Sequence, residues 1–190
     1  EYIDVSLMDE TEVWCADVIR TIAGKELKGE RPHQAGDYSF NNIGISSFFM
    51  LLSTMKHEHR EQLGYYAVGG CGANIAWHTE DDLIHIADRD ILLKDIKIYL
   101  ASVMGVANAT VAPFDFRRTV DTVRKALEGY AAHVQGLVDF TPARTALDEL
   151  EAALAKFAAH AGRVEALPVG DAVTRRTNRA LRRLARLLVP

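Results

Sequence analysis

Trp77-His78-Thr79-Glu80-Asp81-Asp82 places one imidazole close to three carboxylates, although a lone histidine taken by itself is more often a hydrogen-bonded structural residue than a metal ligand. A neutral imidazole is a common ligand for divalent metals, and ligand histidines are often oriented by a carboxylate, a role open to Asp81 or Asp82. The same two aspartates would also suit the first turn of a following helix, where negative charge is favoured electrostatically. Gly69, Gly70 and Gly72 precede the segment and permit tight backbone geometry. Their spacing is not that of a dinucleotide-binding loop, and no Gly-Lys-Ser or Gly-Lys-Thr is present, so nucleotide chemistry is set aside. His57-Glu58-His59 offers a second pair of imidazoles, but its charged setting (KHEHRE) favours a solvated surface over a metal site. The six arginines between Arg175 and Arg186 fall at helical spacing beside leucines and read as the wet face of an amphipathic helix rather than a nucleic-acid site.

The elements that must position His78 begin with a helix over Glu12 to Leu27, where Val13, Ala16, Val18, Ile19, Ile22 and Ala23 keep three-and-four spacing. Gly29, Pro32 and Gly36 then break regular structure and lead into the short run Ser39 to Ile43. Ile45 to Leu52 (ISSFFMLL) is nearly uninterrupted and apolar, the pattern of a strand covered on both faces. Asp90 to Val106 resumes a helix through Ile91, Ile96, Leu100 and Val103, which places His78 in a loop between a strand and a helix.

Near Val111 the composition shifts toward alanine, leucine and arginine, and we place a boundary there, dividing 1–110 from 111–190. The second part predicts helices over Phe116 to Val138, from Thr141-Pro142 to about Gly162, and over Asp171 to Leu188: a helical hairpin with a returning third helix. No period of fixed length links them, which argues against a solenoid.

The 190 residues are 48% hydrophobic with a formal net charge of -4, enough chain to bury a core and no overall field for nucleic acid or an anionic membrane. No apolar run approaches the roughly 20 residues a membrane span needs. Cys15 and Cys71 make neither a disulfide framework nor a metal cage.

Two stretches, GDYSFNNIGISSFFML (Gly36 to Leu51) and WHTEDDLIHIADRDIL (Trp77 to Leu92), resemble the closing motifs of the co-catalytic zinc aminopeptidase and glutamate carboxypeptidase superfamily. Asn178 to Pro190 resembles the end of the helical dimerisation domain in its transferrin-receptor-like branch. The resemblance implies an α/β fold, the C-terminal part of a zinc-exopeptidase α/β sandwich followed by an all-α dimerisation-like segment. His78 would be the last protein ligand of a two-zinc site; Gly36, Asp37, Tyr38 and Phe40, with Trp77, would line the substrate pocket. In the carboxypeptidase branch a tyrosine precedes the ligand histidine, whereas this chain has Trp77, whose indole N–H donates but carries no acidic hydroxyl. Ser46, Leu83 and His85 also depart from the family pattern.

The activity that this resemblance implies is that of a zinc-dependent exopeptidase, of aminopeptidase or carboxypeptidase type, hydrolysing peptide substrates with a metal-activated water. Its other ligands and its glutamate base have no counterpart here, so no catalytic residue is assigned in this chain. A catalytic zinc needs about three protein ligands, and the chain by itself is expected to be inactive and to hold zinc weakly. The resemblance further implies a homodimer through the helical segment and favours an extracytoplasmic location. Separately, the three C-terminal helices are expected to present an exposed apolar surface that pairs with itself or rests on polypeptide outside this chain. The alternative is a non-catalytic receptor-like or structural dimerisation scaffold on the same fold.

Overall fold

The computed structural model describes residues 1–32, 38–48, 52–66, 74–134 and 136–188. The chain divides into two compact units, one of Glu1–Met8, Glu12–Tyr38 and Ser47–Ala107, the other of Asp9–Thr11, Ser39–Ser46 and Asn108–Pro190.

The first unit is built on one βαβ step. Strand β1 (Tyr2–Ser6) leads through a 3₁₀ turn (Asp9–Thr11) into helix α1 (Glu12–Ala23), and β2 (Leu27–Glu30) returns parallel to β1, with Tyr2 opposite Leu27 and Val5 opposite Gly29. Helix α1 stops four residues short of the sequence expectation because Gly24 takes φ +62 and closes the last turn, its N–H bonding the Arg20 carbonyl. Its buried residues Cys15, Val18 and Ile19 join Tyr2, Val5, Leu7, Leu52 and Ile98 in the core.

The apolar run expected as a strand over Ile45 to Leu52 is only partly in view, residues 49–51 lying outside the described ones, and Ile45–Ser47 are irregular. Its two ends nevertheless flank β1 on the edge away from β2. Met8 N–H bonds Ser47 O, Leu7 and Phe48 form an antiparallel bridge, and Thr54 N–H bonds Glu1 O at 2.7 Å, all in one register. Among the described residues the sheet has two parallel strands, and most of the chain is helical; the multi-stranded sandwich expected from the resemblance is not formed by them. The run Ser39 to Ile43 falls instead on the short helix α2 (Tyr38–Asn41) and a turn closed by Gly44 at φ +74, and His57–Gln62 forms the one-and-a-half-turn helix α3.

Helix α4 (Arg89–Asn108) completes the unit. Asp88 caps it, its Oδ1 accepting from the N–H groups of Asp90 and Ile91 at 2.9 Å each. Ile98 and Ser102 are buried, and Gly105 lets the Trp14 ring lie directly on the helix backbone. The stripe read from the sequence as the packing face, Ile91, Ile96, Leu100 and Val103, points outward and is 48–57% exposed. The helix is therefore apolar on two sides, one packed into the core and one exposed.

In the second unit α5 (Arg117–Val134), α6 (Thr141–Val164) and α7 (Ala172–Leu187) turn their apolar stripes toward one another, burying Val120, Leu154, Val164, Leu181 and Ala185 with Val111 and Phe116. Much of the α6 and α7 stripes goes into the unit's own core, whereas on α5 only Val120 is buried and Val123 and Tyr130 stay 37% and 68% exposed. Pro142 sits in the first turn of α6, which runs through Gly162, and Asp171 caps α7 by accepting from Val173 N–H. Asn178 ties the chain entering the unit to α7, its side chain donating to Thr110 O at 2.7 Å and accepting from Ala112 N–H at 3.0 Å. Glu10 is buried beneath α5 and accepts from the hydroxyls of Ser46 (2.6 Å) and Thr119 (3.3 Å).

Candidate functional site

His78 sits at the apex of a turn that its neighbours hold in place. Asn74 opens it, the Oδ1 accepting from Ala76 N–H at 2.9 Å and the carbonyl from Trp77 N–H. Thr79 closes it: its N–H and hydroxyl both bond Ala76 O, and its Oγ1 accepts from Asp81 N–H at 3.2 Å. Between these anchors His78 adopts φ +63, and among the described residues it is the one non-glycine with positive φ. A left-handed backbone costs an ordinary residue about 1–2 kcal/mol, and such strain tends to persist where a side chain has to be aimed. The ring is exposed and stacks on Trp77, centroids 3.8 Å apart and planes 26° from parallel. Trp77 thus fixes the inner face of the imidazole and leaves its outer face and edge to solvent.

Asp81 and Asp82 are exposed and neither bonds to His78. Nor do they open the following helix, since α4 starts at Arg89 under the cap of Asp88. Gly36 and Asp37 lie outside the described residues, and Tyr38 opens α2. Phe40 is 57% exposed on α2 in the second unit, whereas Trp77 and His78 belong to the first. The adjoining Asn41 is buried, and Gly44 meets α7 so closely that a Cβ there would lie 2.4 Å from Arg186 Cα. The glycine in the first motif therefore has a packing reason of its own.

Next to the His78 turn, and reached through its flanking residues Asn74 and Asp82, the first unit holds an open cleft of about 1020 Å³. Its apolar wall includes Leu52, Leu83, Ile86 and Tyr99, and its floor carries a small polar cluster. There the Tyr2 hydroxyl donates to Asp95 Oδ1 at 3.2 Å and Ser53 Oγ donates to Oδ2 of the same carboxylate. Burial first, then the Asp95 charge and the hydrogen bond to it, push the Tyr2 phenol from 10.0 up to about 12. Burial and the same charge also raise Tyr99. His59 of the His-Glu-His run lines the cleft, while His57 faces Arg60 and Glu61 on the outside of α3. Asn74, Thr79 and the Tyr2–Asp95–Ser53 cluster escaped sequence reading, because their partners are defined by the turn and by the meeting of β1 with α4.

The zinc implied by the two motifs can be tested against these donors. His78 suits a single ligand position, being exposed, aimed and backed by an aromatic ring. Among the described residues no three of His, Cys, Asp and Glu come together to hold a metal, so this chain's described donors do not complete a zinc centre. Comparison with protein-family models, curated proteins and solved structures finds no match to this chain.

Proposed function

We propose that this chain contributes one metal-ligating imidazole, His78, to a zinc-dependent exopeptidase whose remaining ligands and general base are carried by polypeptide outside it. The observation that supports the reading is the conformation of His78: a strained left-handed backbone, fixed on both sides by Asn74 and Thr79, presenting an exposed ring. Glycine would take this conformation at no steric cost. Zinc bound at such a site would supply an activated water and a polarised peptide carbonyl. The part played by this chain is to hold the imidazole edge-on to solvent and to back it with Trp77.

His78→Gly separates the two roles of the residue. Removing the left-handed penalty offsets the greater backbone freedom of glycine, so the fold should be unchanged in stability or gain up to about 1 kcal/mol. In the intact enzyme the same change should abolish peptide hydrolysis and lower zinc content, both measurable on purified protein. Wild-type hydrolysis and zinc content in the His78→Gly enzyme would sink the proposal. The 190-residue chain titrated with zinc should show no tight binding.

A second reading, a non-catalytic association scaffold, draws support from the outward apolar stripe of α4. On that reading His78→Gly leaves every property intact, and charged substitutions at Ile96 and Leu100 remove association detected by light scattering.

A further inference from the structure

Helix α7 carries arginine at 175, 176, 179, 182, 183 and 186 and has no lysine, aspartate or glutamate between Ala172 and Leu187. At about 100° and 1.5 Å per residue, the six fall within a sector of about 120° and along about 16 Å of helix. All are exposed, directly opposite the side that buries Thr174, Thr177, Leu181 and Ala185. On the other helices of this unit some cations are paired: Arg124 with Asp148 and Glu151, and Arg144 with Glu128. Among the described residues no carboxylate pairs with any of the six, and the one partner in evidence is the Gly170 carbonyl, which accepts from Arg175. Like charges one turn apart repel, so α7 holds a preorganised cationic face with nothing of its own to neutralise it.

A second feature narrows what the face would meet. Leu187, next to Arg186 at the end of the helix, is 71% exposed, and Val169, just before the Asp171 cap, is 62% exposed. The cationic stripe thus has an aliphatic side chain in water near each end. Arginine forks pair bidentately with phosphate oxygens, and aliphatic side chains beside them enter the boundary between headgroups and acyl chains. Nucleic acid would use the arginines but leave Leu187 and Val169 in water, and α7 offers no aromatic ring on which a base could stack.

We propose that the arginine face of α7 docks this chain on the anionic phospholipid headgroups of a membrane, with Leu187 and Val169 as shallow apolar contacts. The attachment is peripheral: the apolar face of α7 is committed to the core, and no described helix is long and apolar enough to cross a membrane.

Co-sedimentation of the 190-residue chain with vesicles tests this, using phosphatidylcholine alone and phosphatidylcholine mixed with phosphatidylglycerol. Binding is expected on the mixed vesicles alone and should weaken as salt is raised. Each of Arg176→Gln, Arg179→Gln and Arg183→Gln should lower the partition coefficient about fivefold, and the triple variant about a hundredfold. Leu187→Ser should weaken binding without changing its salt dependence. All four positions are exposed, and circular dichroism checks that the helices persist. Equal binding to neutral vesicles, or a triple variant that binds like the parent, would overturn the proposal. So would absence of binding to the mixed vesicles, whether or not the arginines bind a DNA or RNA duplex.

Discussion

Tyr2→Phe removes one oxygen from the junction of β1 and α4 and leaves the ring in place. Tyr2 is 4% exposed, and its hydroxyl donates to Asp95 at 3.2 Å. Hydrogen bonds to charged groups contribute about 1.5–3 kcal/mol, but Asp95 keeps the Ser53 hydroxyl and stays partly solvated on the cleft side. The expected cost near neutral pH is therefore about 1 kcal/mol, below the lower end of that range. The pH dependence is more telling. The folded phenol lies near 12 against 10.0 ordinarily, so the full contribution is present below pH 10, where both states keep the proton. From pH 10 to about 12 the unfolded chain ionises while the folded one does not, and stability falls. Two pH units correspond to about 2.7 kcal/mol, and solvent reaching the cleft should reduce this by about half. Urea unfolding of both proteins across this range isolates the effect, since the two differ only at position 2. The stability gap should be about 1 kcal/mol at neutral pH and close or reverse as pH rises. A gap that stays constant to pH 12, or is absent throughout, would refute the assignment of Tyr2 as the buried donor to Asp95.

Gly44→Ala forces a Cβ into the α7 backbone at a residue with φ +74, and should cost about 3 kcal/mol or more, read as a lower thermal midpoint. Gly105→Ala brings a methyl group to 2.2 Å from Trp14 Cζ2, so the ring must shift. A changed tryptophan emission and a loss of about 1–3 kcal/mol are expected, and an unchanged spectrum would contradict the packing.

Local signals read well wherever the residue that enforces them is itself in the sequence. Thr141-Pro142 opens α6, and Asp171 precedes α7, because a first-turn proline and a capping carboxylate act within a few residues of their own position. The end of α1 is less legible for a related reason: Gly24 permits a left-handed stop but does not compel one. At the candidate site His78 stands out by residue type, but its positive φ depends on the cross-turn bonds of Asn74 and Thr79.

Periodicity alone established that α4 is a helix and that it carries an apolar stripe through Ile91, Ile96, Leu100 and Val103. Only the tertiary structure decided which side packs, because α4 is apolar on two sides and spacing cannot rank them. The choice rests on shape: Gly105 opens a place for the Trp14 ring, and Ile98 and Ser102 follow it into the core. The same holds for α5, α6 and α7, whose stripes were legible one at a time. Which of their side chains meet around Val120, Leu154, Val164 and Leu181, leaving six arginines of α7 facing outward, depends on three surfaces fitting together, which no single helix encodes.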